Sequence, residues 1–242
     1  MLLYKVKNAE EMGYKAGEII EAQVILKPNC ILGLATGSTP IGAYRYLAEE
    51  YEKGKVDFSE VSSINLDEYV GLSGQDSQSY RYFMKEQLFD HINIDQNRTY
   101  VPDGLADSPL DACEGYDKII KESGGVDLQL LGIGGNGHIG FNEPADSFIK
   151  ETHVVTLTED TRRANARFFD SMEQVPTHAI TMGMGGIMSA RKILLMASGK
   201  GKAKALFDAF YGPISPEVPA SILQLHPDVT VVADEDALSL VK

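Results

Sequence analysis

The sequence contains no apolar run that approaches the roughly 18–20 residues needed by a bilayer-spanning helix. It has only two cysteines, Cys30 and Cys113, and both lie in apolar-periodic segments rather than at the spacing of a metal-binding knuckle. We interpret them as buried structural thiols, which suit a reducing compartment. The N-terminal stretch lacks the apolar core of a secretory signal. We therefore expect a cytoplasmic protein with no membrane partner.

Positive charge is also scarce. The 242 residues include 22 Lys and Arg against 35 Asp and Glu, which gives a formal net charge of −13. A surface that binds nucleic acid needs clustered Lys and Arg to displace counterions, so this balance argues against nucleic acid as a partner. An anionic ligand must therefore be held by a local site that overcomes a repulsive mean field.

Short runs rich in Ile, Leu and Val alternate with amphipathic stretches along the chain. Near-continuous apolar runs are typical of parallel strands covered on both faces. They predict strands at Cys30–Ala35, Ser62–Leu66, Val126–Ile133, Val154–Leu157, Ala179–Met182, Lys192–Ala197 and Val229–Ala233. Apolar residues at three- and four-residue spacing predict helices at Ala9–Val24, Ile41–Tyr51, Ser77–Asp90, Leu110–Glu122, Asp160–Phe169 and Lys202–Phe210.

This alternation predicts one doubly wound α/β domain over residues 1–242, built on a mostly parallel sheet. The segment 147–172 carries fewer core signals, and we expect it to form a mobile cover. Ligands of such sheets bind beyond the carboxyl ends of the strands. The residues that directly follow each strand are therefore the candidates for a site.

The first predicted strand is followed by Thr36-Gly37-Ser38-Thr39-Pro40 and then by a helix. Gly37 permits close backbone approach or a positive φ, and Pro40 suits the first helical position. Hydroxyl groups and the free N–H groups of a helix N-terminus favour an anion, so the pattern predicts a phosphate-binding loop. It matches neither the dinucleotide nor the Walker pattern. The alternative is a plain helix N-cap.

The second predicted strand ends in Asp67-Glu68-Tyr69. An acidic pair directly after a core strand is unfavourable to bury, so it either faces solvent or serves a site. Asp67 lies at the strand end, where a carboxylate can point into the ligand crevice and remove a proton from a carbon beside a carbonyl. The alternatives are an exposed turn acid and a helix cap.

The third predicted strand runs into a loop with four glycines in the seven residues 134–140. The loop carries His138, with Asn136 two residues before it and Glu143 five residues after it. Histidine beside hydrogen-bonding partners is a common device for proton transfer near neutral pH. One His and one Glu without a partnering cysteine fall short of a zinc site, so we expect no metal. The alternative is a structural histidine.

These stretches together resemble the glucosamine-6-phosphate deaminase family, in its short, non-allosteric type. The matching segments are Thr36–Pro40, Asn65–Tyr69, Gly132–Pro144, Thr161–Phe169 and Leu223–His226, in the family's order and across essentially the whole chain. The His-bearing loop that ends in Asn-Glu-Pro is highly specific. The first loop is shared with the related phosphogluconolactonases.

The resemblance implies a Rossmann-like sheet with helices on both faces and a lid. It also implies the conversion of glucosamine 6-phosphate and water into fructose 6-phosphate and ammonia, in amino-sugar catabolism and without cofactor. By position, His138 would open the pyranose ring, with Glu143 and Asn136 orienting it. Asp67 would take the C2 proton and return it at C1. An aldose–ketose shift indeed needs one acid/base group at the ring oxygen and another facing C2.

By the same resemblance the substrate phosphate would lie on the loop 36–39, with Arg167 from the lid and Lys202 as its cationic partners. Arg binds phosphate in a bidentate fork, whereas Lys supplies a compact point charge. The alternative is solvated charge runs, formed by Arg162, Arg163 and Arg167 on a helix face and by Lys200, Lys202 and Lys204 in a first turn. The position of Lys202 after a core strand favours the phosphate role.

Two departures from the family pattern bear on mechanism and regulation. Some members carry Asp where this chain has Asn136, which can hydrogen-bond the imidazole but withholds a negative charge. The chain ends at Lys242, short of the tail of allosteric members, and has His153 and Val155 where those members place cationic effector contacts. We therefore expect no activation by N-acetylglucosamine 6-phosphate, and we favour a monomer.

Two rival functions use the same features. A sugar-phosphate lactonase of the same superfamily needs the phosphate loop and a histidine but has no task for a carbon base at Asp67. A non-catalytic sugar-phosphate sensor would carry a basic helix-turn-helix ahead of the sheet. Here one helix, Ala9–Val24, precedes a first strand expected at about residue 30. The sequence therefore favours a deaminase that acts on a small sugar phosphate.

Overall fold

The computed structural model describes residues 1–165, 169 and 171–241. Its strands are β1 (Leu2–Val6), β2 (Ile31–Leu34), β3 (Ser62–Asn65), β4 (Asp67–Tyr69), β5 (Thr99–Tyr100), β6 (Leu128–Gly132), β7 (His153–Thr156), β8 (His178–Thr181), β9 (Ile193–Ala197) and β10 (Val229–Asp234). Its α-helices are α1 (Ala9–Leu26), α2 (Ile41–Glu52), α3 (Tyr80–Gln87), α4 (Pro109–Glu122), α5 (Glu159–Asn165), α6 (Met184–Met188) and α7 (Ala203–Tyr211). Short 3-10 helices lie at Phe89–His91, Gln96–Arg98, Met172–Gln174, Lys200–Lys202 and Pro219–Leu225.

Seven strands form one parallel sheet in the order β1-β10-β9-β6-β2-β3-β5. All five residues of β9 are buried, as expected for a central strand covered on both faces. From β2 the chain proceeds to β3 and β5 on one side, and it then continues at β6 on the other side. This reversal places a topological switch point between β2 and β6. The prediction of a doubly wound, mostly parallel α/β fold is confirmed.

A second, antiparallel sheet has the order β4-β8-β7. The chain passes from the first sheet to the second at Leu66, whose N–H donates to Leu34 O at 3.2 Å while its carbonyl accepts from Met182 N at 2.7 Å. Two predicted strands, at 154–157 and 179–182, are thus strands of this smaller sheet. Asp67 is the first residue of β4, directly beyond the end of β3.

The expectation that the first strand begins near residue 30 is wrong, because β1 precedes α1. Among the described strands it pairs with β10 alone, at the edge of the sheet, and three of its five residues are exposed. An edge strand with so little burial lacks the apolar signal of a core strand. Pro40 lies just before α2 rather than at its first position. Cys30 and Cys113 are free and buried, as predicted.

The predicted helix at 160–169 corresponds to α5, which spans Glu159–Asn165. Residues 166–168, and with them the predicted site residue Arg167, lie outside the described part of the chain. The segment 147–172 also contains β7, which pairs with β8. No helix within the described ranges is long and apolar enough to cross a membrane.

Candidate active site

A cavity of about 550 Å³ lies beyond the carboxyl ends of β2, β3, β6 and β9. This volume is in the range of small-molecule sites, and the position is the one expected at a switch point. The predicted site residues that line it are Thr36, Gly37, Ser38, Thr39, Asp67, Asn136, His138 and Lys202. Glu143 lies behind His138 and contacts its ring. The structure therefore brings together every predicted site residue that it describes.

His138 and Glu143 form a hydrogen-bonded pair. His138 Nδ1 lies 3.2 Å from Glu143 Oε2. Burial alone would raise the pKa of Glu143, but hydrogen bonds from His138, Thr161 and Asn136 lower that pKa to about 2. The carboxylate is then an acceptor only, so Nδ1 carries the ring proton and Nε2 is left to exchange a proton with a ligand.

Asn136 acts on this pair through Glu143 and not through the imidazole. Its Nδ2 donates to Glu143 Oε2 at 2.6 Å, and its Oδ1 accepts from the backbone N–H of His138 at 3.2 Å. The expected hydrogen bond from Asn136 to the ring is therefore corrected. An amide suits this place because it supplies the donor that a second carboxylate would lack.

The close packing of the His138 ring against its own loop explains why residue 134 is a glycine. A Cβ at Gly134 would lie 2.4 Å from Nε2 of His138. Only glycine lets the imidazole lie this close to the backbone of its own loop. The Gly134 N–H also donates to His138 O at 2.8 Å, which closes the loop tightly. The alternative of a merely connecting loop with a structural histidine does not explain a ring held at the cavity wall.

The two residues of the acidic pair Asp67-Glu68 have different surroundings: Glu68 caps a helix, and Asp67 lines the cavity. Glu68 accepts the backbone N–H groups of Tyr69, Tyr80 and Arg81 at 2.8–3.0 Å, and it thereby caps the start of α3. Asp67 lines the cavity although only 6% of its surface is exposed. Burial, with the neighbouring charge of Glu68, raises the pKa of Asp67 to about 8. A carboxylate held in this way is a strong base once it ionises.

The loop after β2 and the loop after β9 supply the polar part of the cavity. Gly37 has φ 87°, which is the left-handed region that its sequence position predicted. Lys202 lines the cavity, and burial lowers the pKa of its ammonium group. By contrast, Lys200 and Lys204 are exposed, and Lys204 pairs with Asp208. Among the described residues that line the cavity, Lys202 is the one lysine or arginine.

Three further residues contribute to the site: Thr161, which lies in a matching segment but was given no role there, and Tyr80 and Asp234, which lie outside the motifs. Thr161 donates from Oγ1 to Glu143 Oε1 at 2.7 Å. Tyr80 lines the cavity and stacks on Phe141 with ring centroids 6.1 Å apart. Asp234 accepts from Ser198 Oγ and from the Gly199 N–H at 3.0 Å, which fixes the loop that carries Lys202.

The cationic run at 162–163 is accounted for by local contacts. Arg162 donates to the carbonyl oxygens of Met172 and Val175, each at 3.0 Å, and Arg163 pairs with Glu159. Neither residue lines the cavity. Over the described ranges, no group of three or more His, Cys, Asp or Glu side chains is arranged to hold a metal ion.

Comparisons with known proteins give a consistent family. The family model described as glucosamine-6-phosphate isomerases/6-phosphogluconolactonase matches residues 6–232. A glucosamine-6-phosphate deaminase of Lachnoclostridium phytofermentans is 60% identical over 231 residues, covering 94% of this chain and 98% of the relative. A glucosamine-6-phosphate deaminase of Clostridium perfringens strain 13 is 54% identical over 242 residues and covers 100% of both chains.

Solved structures agree. A monomeric glucosamine-6-phosphate deaminase superposes with a TM-score of 0.96 at 46% identity, covering 99% of this chain and 100% of the other. The 6-phosphogluconolactonase of Trypanosoma cruzi has a TM-score of 0.80 at 17% identity, covering 100% and 97%, and so shares the fold. The chain therefore belongs to the family of glucosamine-6-phosphate isomerases and 6-phosphogluconolactonases.

Proposed function

We propose that this protein is a glucosamine-6-phosphate deaminase, which converts glucosamine 6-phosphate and water into fructose 6-phosphate and ammonia. The proposal is supported by relatives of that name at 54–60% identity over nearly the whole chain. The observation that carries it is the pairing, in one cavity, of a buried carboxylate at Asp67 with the His138–Glu143 pair. A lactonase has no C–H bond to break and no use for the first of these groups.

Ring opening is the first task, and we assign it to His138. Its unprotonated Nε2 takes the proton of the C1 hydroxyl, the bond between C1 and the ring oxygen breaks, and the imidazolium returns a proton to the ring oxygen. Glu143 stabilises the imidazolium because its own pKa, about 2, keeps it ionised throughout. Asn136 holds Glu143 in place for this role.

Carbon chemistry is the second task, and we assign it to Asp67. The open-chain aldehyde acidifies the C2 proton, which the carboxylate removes and then returns at C1, while the C1 oxygen gains a proton that the nitrogen at C2 gives up. A C=N bond is left at C2, and water hydrolyses it to the ketone and ammonia. Burial disfavours the ionised form of Asp67 before substrate binds, because it raises the pKa of this carboxyl group to about 8. A substrate ammonium group at C2 would favour the ionised form on binding.

Phosphate recognition is the third task. We assign it to the loop 36–39, whose backbone bends at Gly37, and to Lys202. The ammonium group offsets the repulsion of a chain with a net charge of −13. Family resemblance adds Arg167 as a second cation.

We further propose a monomer in the cytoplasm, with residues 147–172 as a cover over the cavity. One structural relative at 46% identity is monomeric. The two cysteines are free and buried, which suits a reducing compartment. Thr158 and Thr161, at the start of α5, line the cavity and so support the cover.

The direct test is ammonia release from glucosamine 6-phosphate, measured beside hydrolysis of a 6-phosphogluconolactone. We expect steady ammonia release and lactone loss no faster than without enzyme. Lactone turnover without ammonia would reverse the assignment. Glucosamine without phosphate is the matched control, and we expect it to be a very poor substrate.

A further inference from the structure

Glu143 receives hydrogen bonds from three segments of the chain. Oε2 accepts from Asn136 Nδ2 at 2.6 Å and pairs with His138 Nδ1 at 3.2 Å. Oε1 accepts from Thr161 Oγ1 at 2.7 Å. The first two partners belong to the same loop as Glu143, whereas Thr161 belongs to α5. One carboxylate oxygen is therefore held by the catalytic loop and the other by a separate helix.

The Thr161 hydroxyl is itself oriented by a neighbour. Thr158 Oγ1 accepts the backbone N–H of Thr161 at 3.2 Å and donates to Thr161 Oγ1 at 2.9 Å. The proton on Thr161 Oγ1 is then directed at Glu143, because an ionised carboxylate can only accept. The hydrogen bonds run in one direction, from the start of α5 to the carboxylate, and bonds aligned in this way reinforce one another.

We propose that Thr161 is a positioning residue, whose hydroxyl fixes the rotation of the Glu143 carboxylate and so makes the Nδ1–H tautomer of His138 depend on the docking of α5. This inference rests on the proposed function. Both Thr158 and Thr161 line the cavity, so a displacement of α5 would break the contact at Oε1. The carboxylate could then rotate, and its hold on the Nδ1–H form of the imidazole would weaken. Ring opening is thus efficient only while α5 keeps its contact with Glu143.

The test removes the hydroxyl group of Thr161 and keeps the shape of its side chain. Thr161→Val should lower kcat about 10- to 100-fold with KM within about threefold, because a hydrogen bond to a charged group is lost while the shape of the side chain at the cavity wall is kept. Thr161→Ser retains the hydroxyl and should stay within about threefold of wild-type kcat. Thr156→Val, at an exposed residue of β7, is the matched control for the same substitution.

A second readout does not depend on the reaction. ¹⁵N NMR of the histidine rings should show His138 with its proton on Nδ1 in the wild type and in Thr161→Ser, but a mixture of the two tautomers in Thr161→Val. If Thr161→Val does not fold, Thr161→Ala serves for the same measurements. An unchanged His138 tautomer in a folded variant would overturn the proposal, whatever its kcat. Absent ammonia release by the wild type would instead contradict the proposed function.

Discussion

Asp67 and Glu68 are consecutive acidic residues with opposite surroundings. Glu68 accepts the N–H groups of Tyr80 and Arg81 at the start of α3 and that of its neighbour Tyr69, whereas no donor among the described residues hydrogen-bonds the Asp67 carboxylate. The difference follows from the alternation of side chains along β4, which directs neighbouring residues to opposite faces. One carboxylate caps a helix, and the other lines the cavity.

The pH dependence of kcat/KM should report Asp67. Its pKa is raised to about 8, chiefly by burial, and the base must be ionised to act. We therefore expect kcat/KM to fall about tenfold per pH unit below pH 8 and to level off above it. Initial rates at low substrate across pH 5.5–9.5 measure this.

Glu68→Gln separates this titration from that of the substrate. The charge of Glu68 is the second cause of the raised Asp67 pKa. Removal of that charge should therefore shift the fall of kcat/KM on the acid side of the pH profile to lower pH. If kcat/KM of Glu68→Gln falls at the same pH as that of the wild type, another group or the substrate amine determines this pH dependence.

Asp67→Asn should stabilise the fold at alkaline pH. The folded-state pKa of Asp67 lies above its unfolded value, so the native state binds this proton more tightly. That contribution is fully present below about pH 4 and is lost as pH rises through about 8. We expect the variant to gain at least about 1 kcal/mol at pH 8, or about 2–4 °C in Tm, and to match the wild type near pH 4. Thermal unfolding at both pH values tests the sign; a lower Tm at pH 8 would contradict it.

Lys202→Met tests the phosphate contact, since it keeps most of the side-chain stem but removes the charge. A lost charge-assisted contact of about 1.5–3 kcal/mol lowers kcat/KM roughly 10- to 150-fold. The loss should vanish with glucosamine, which has no phosphate. Lys200→Met, at an exposed residue of the same loop, is the control and should leave both rates unchanged. Equal losses with both substrates would assign Lys202 another role.

Substrate saturation tests the proposed monomer. A monomer with one site has no coupling between sites at equilibrium, so initial rates should follow a hyperbola. N-acetylglucosamine 6-phosphate should not activate the enzyme. A sigmoidal curve that this sugar makes hyperbolic would argue for an oligomer with two states.

Much of the parallel sheet and of the site was predictable because chemistry and topology coincide there. Core strands such as β9 are continuous in apolar residues, and the site residues follow directly after such strands. The edge strand β1 and the two-residue strand β5 were not predicted, because exposed or very short strands carry little apolar pattern. Their pairing is set by neighbours that are distant in the sequence.

Several side-chain contacts could not be predicted from the sequence either, because they depend on how the chain folds. The motif around His138 predicted a local network but assigned Asn136 to the imidazole, and only the folded loop brings its amide to Glu143 instead. Thr161 lies 18 residues from Glu143, and nothing in the spacing of the two indicates their contact. The different hydrogen bonding of the Asp67 and Glu68 carboxylates likewise depends on the position at which α3 begins.

We assign removal of the C2 proton to Asp67 and opening of the ring to His138. The decisive measurement follows Asp67→Asn in heavy water, with substrate binding by calorimetry and deuterium at C1 of the product by NMR. We expect near-native affinity, with ammonia release and the appearance of deuterium at C1 both slowed by about 10²–10⁴-fold, because the substituted amide cannot accept the proton. Near-normal ammonia release with deuterium at C1 in this variant would contradict the assignment of Asp67 as the base.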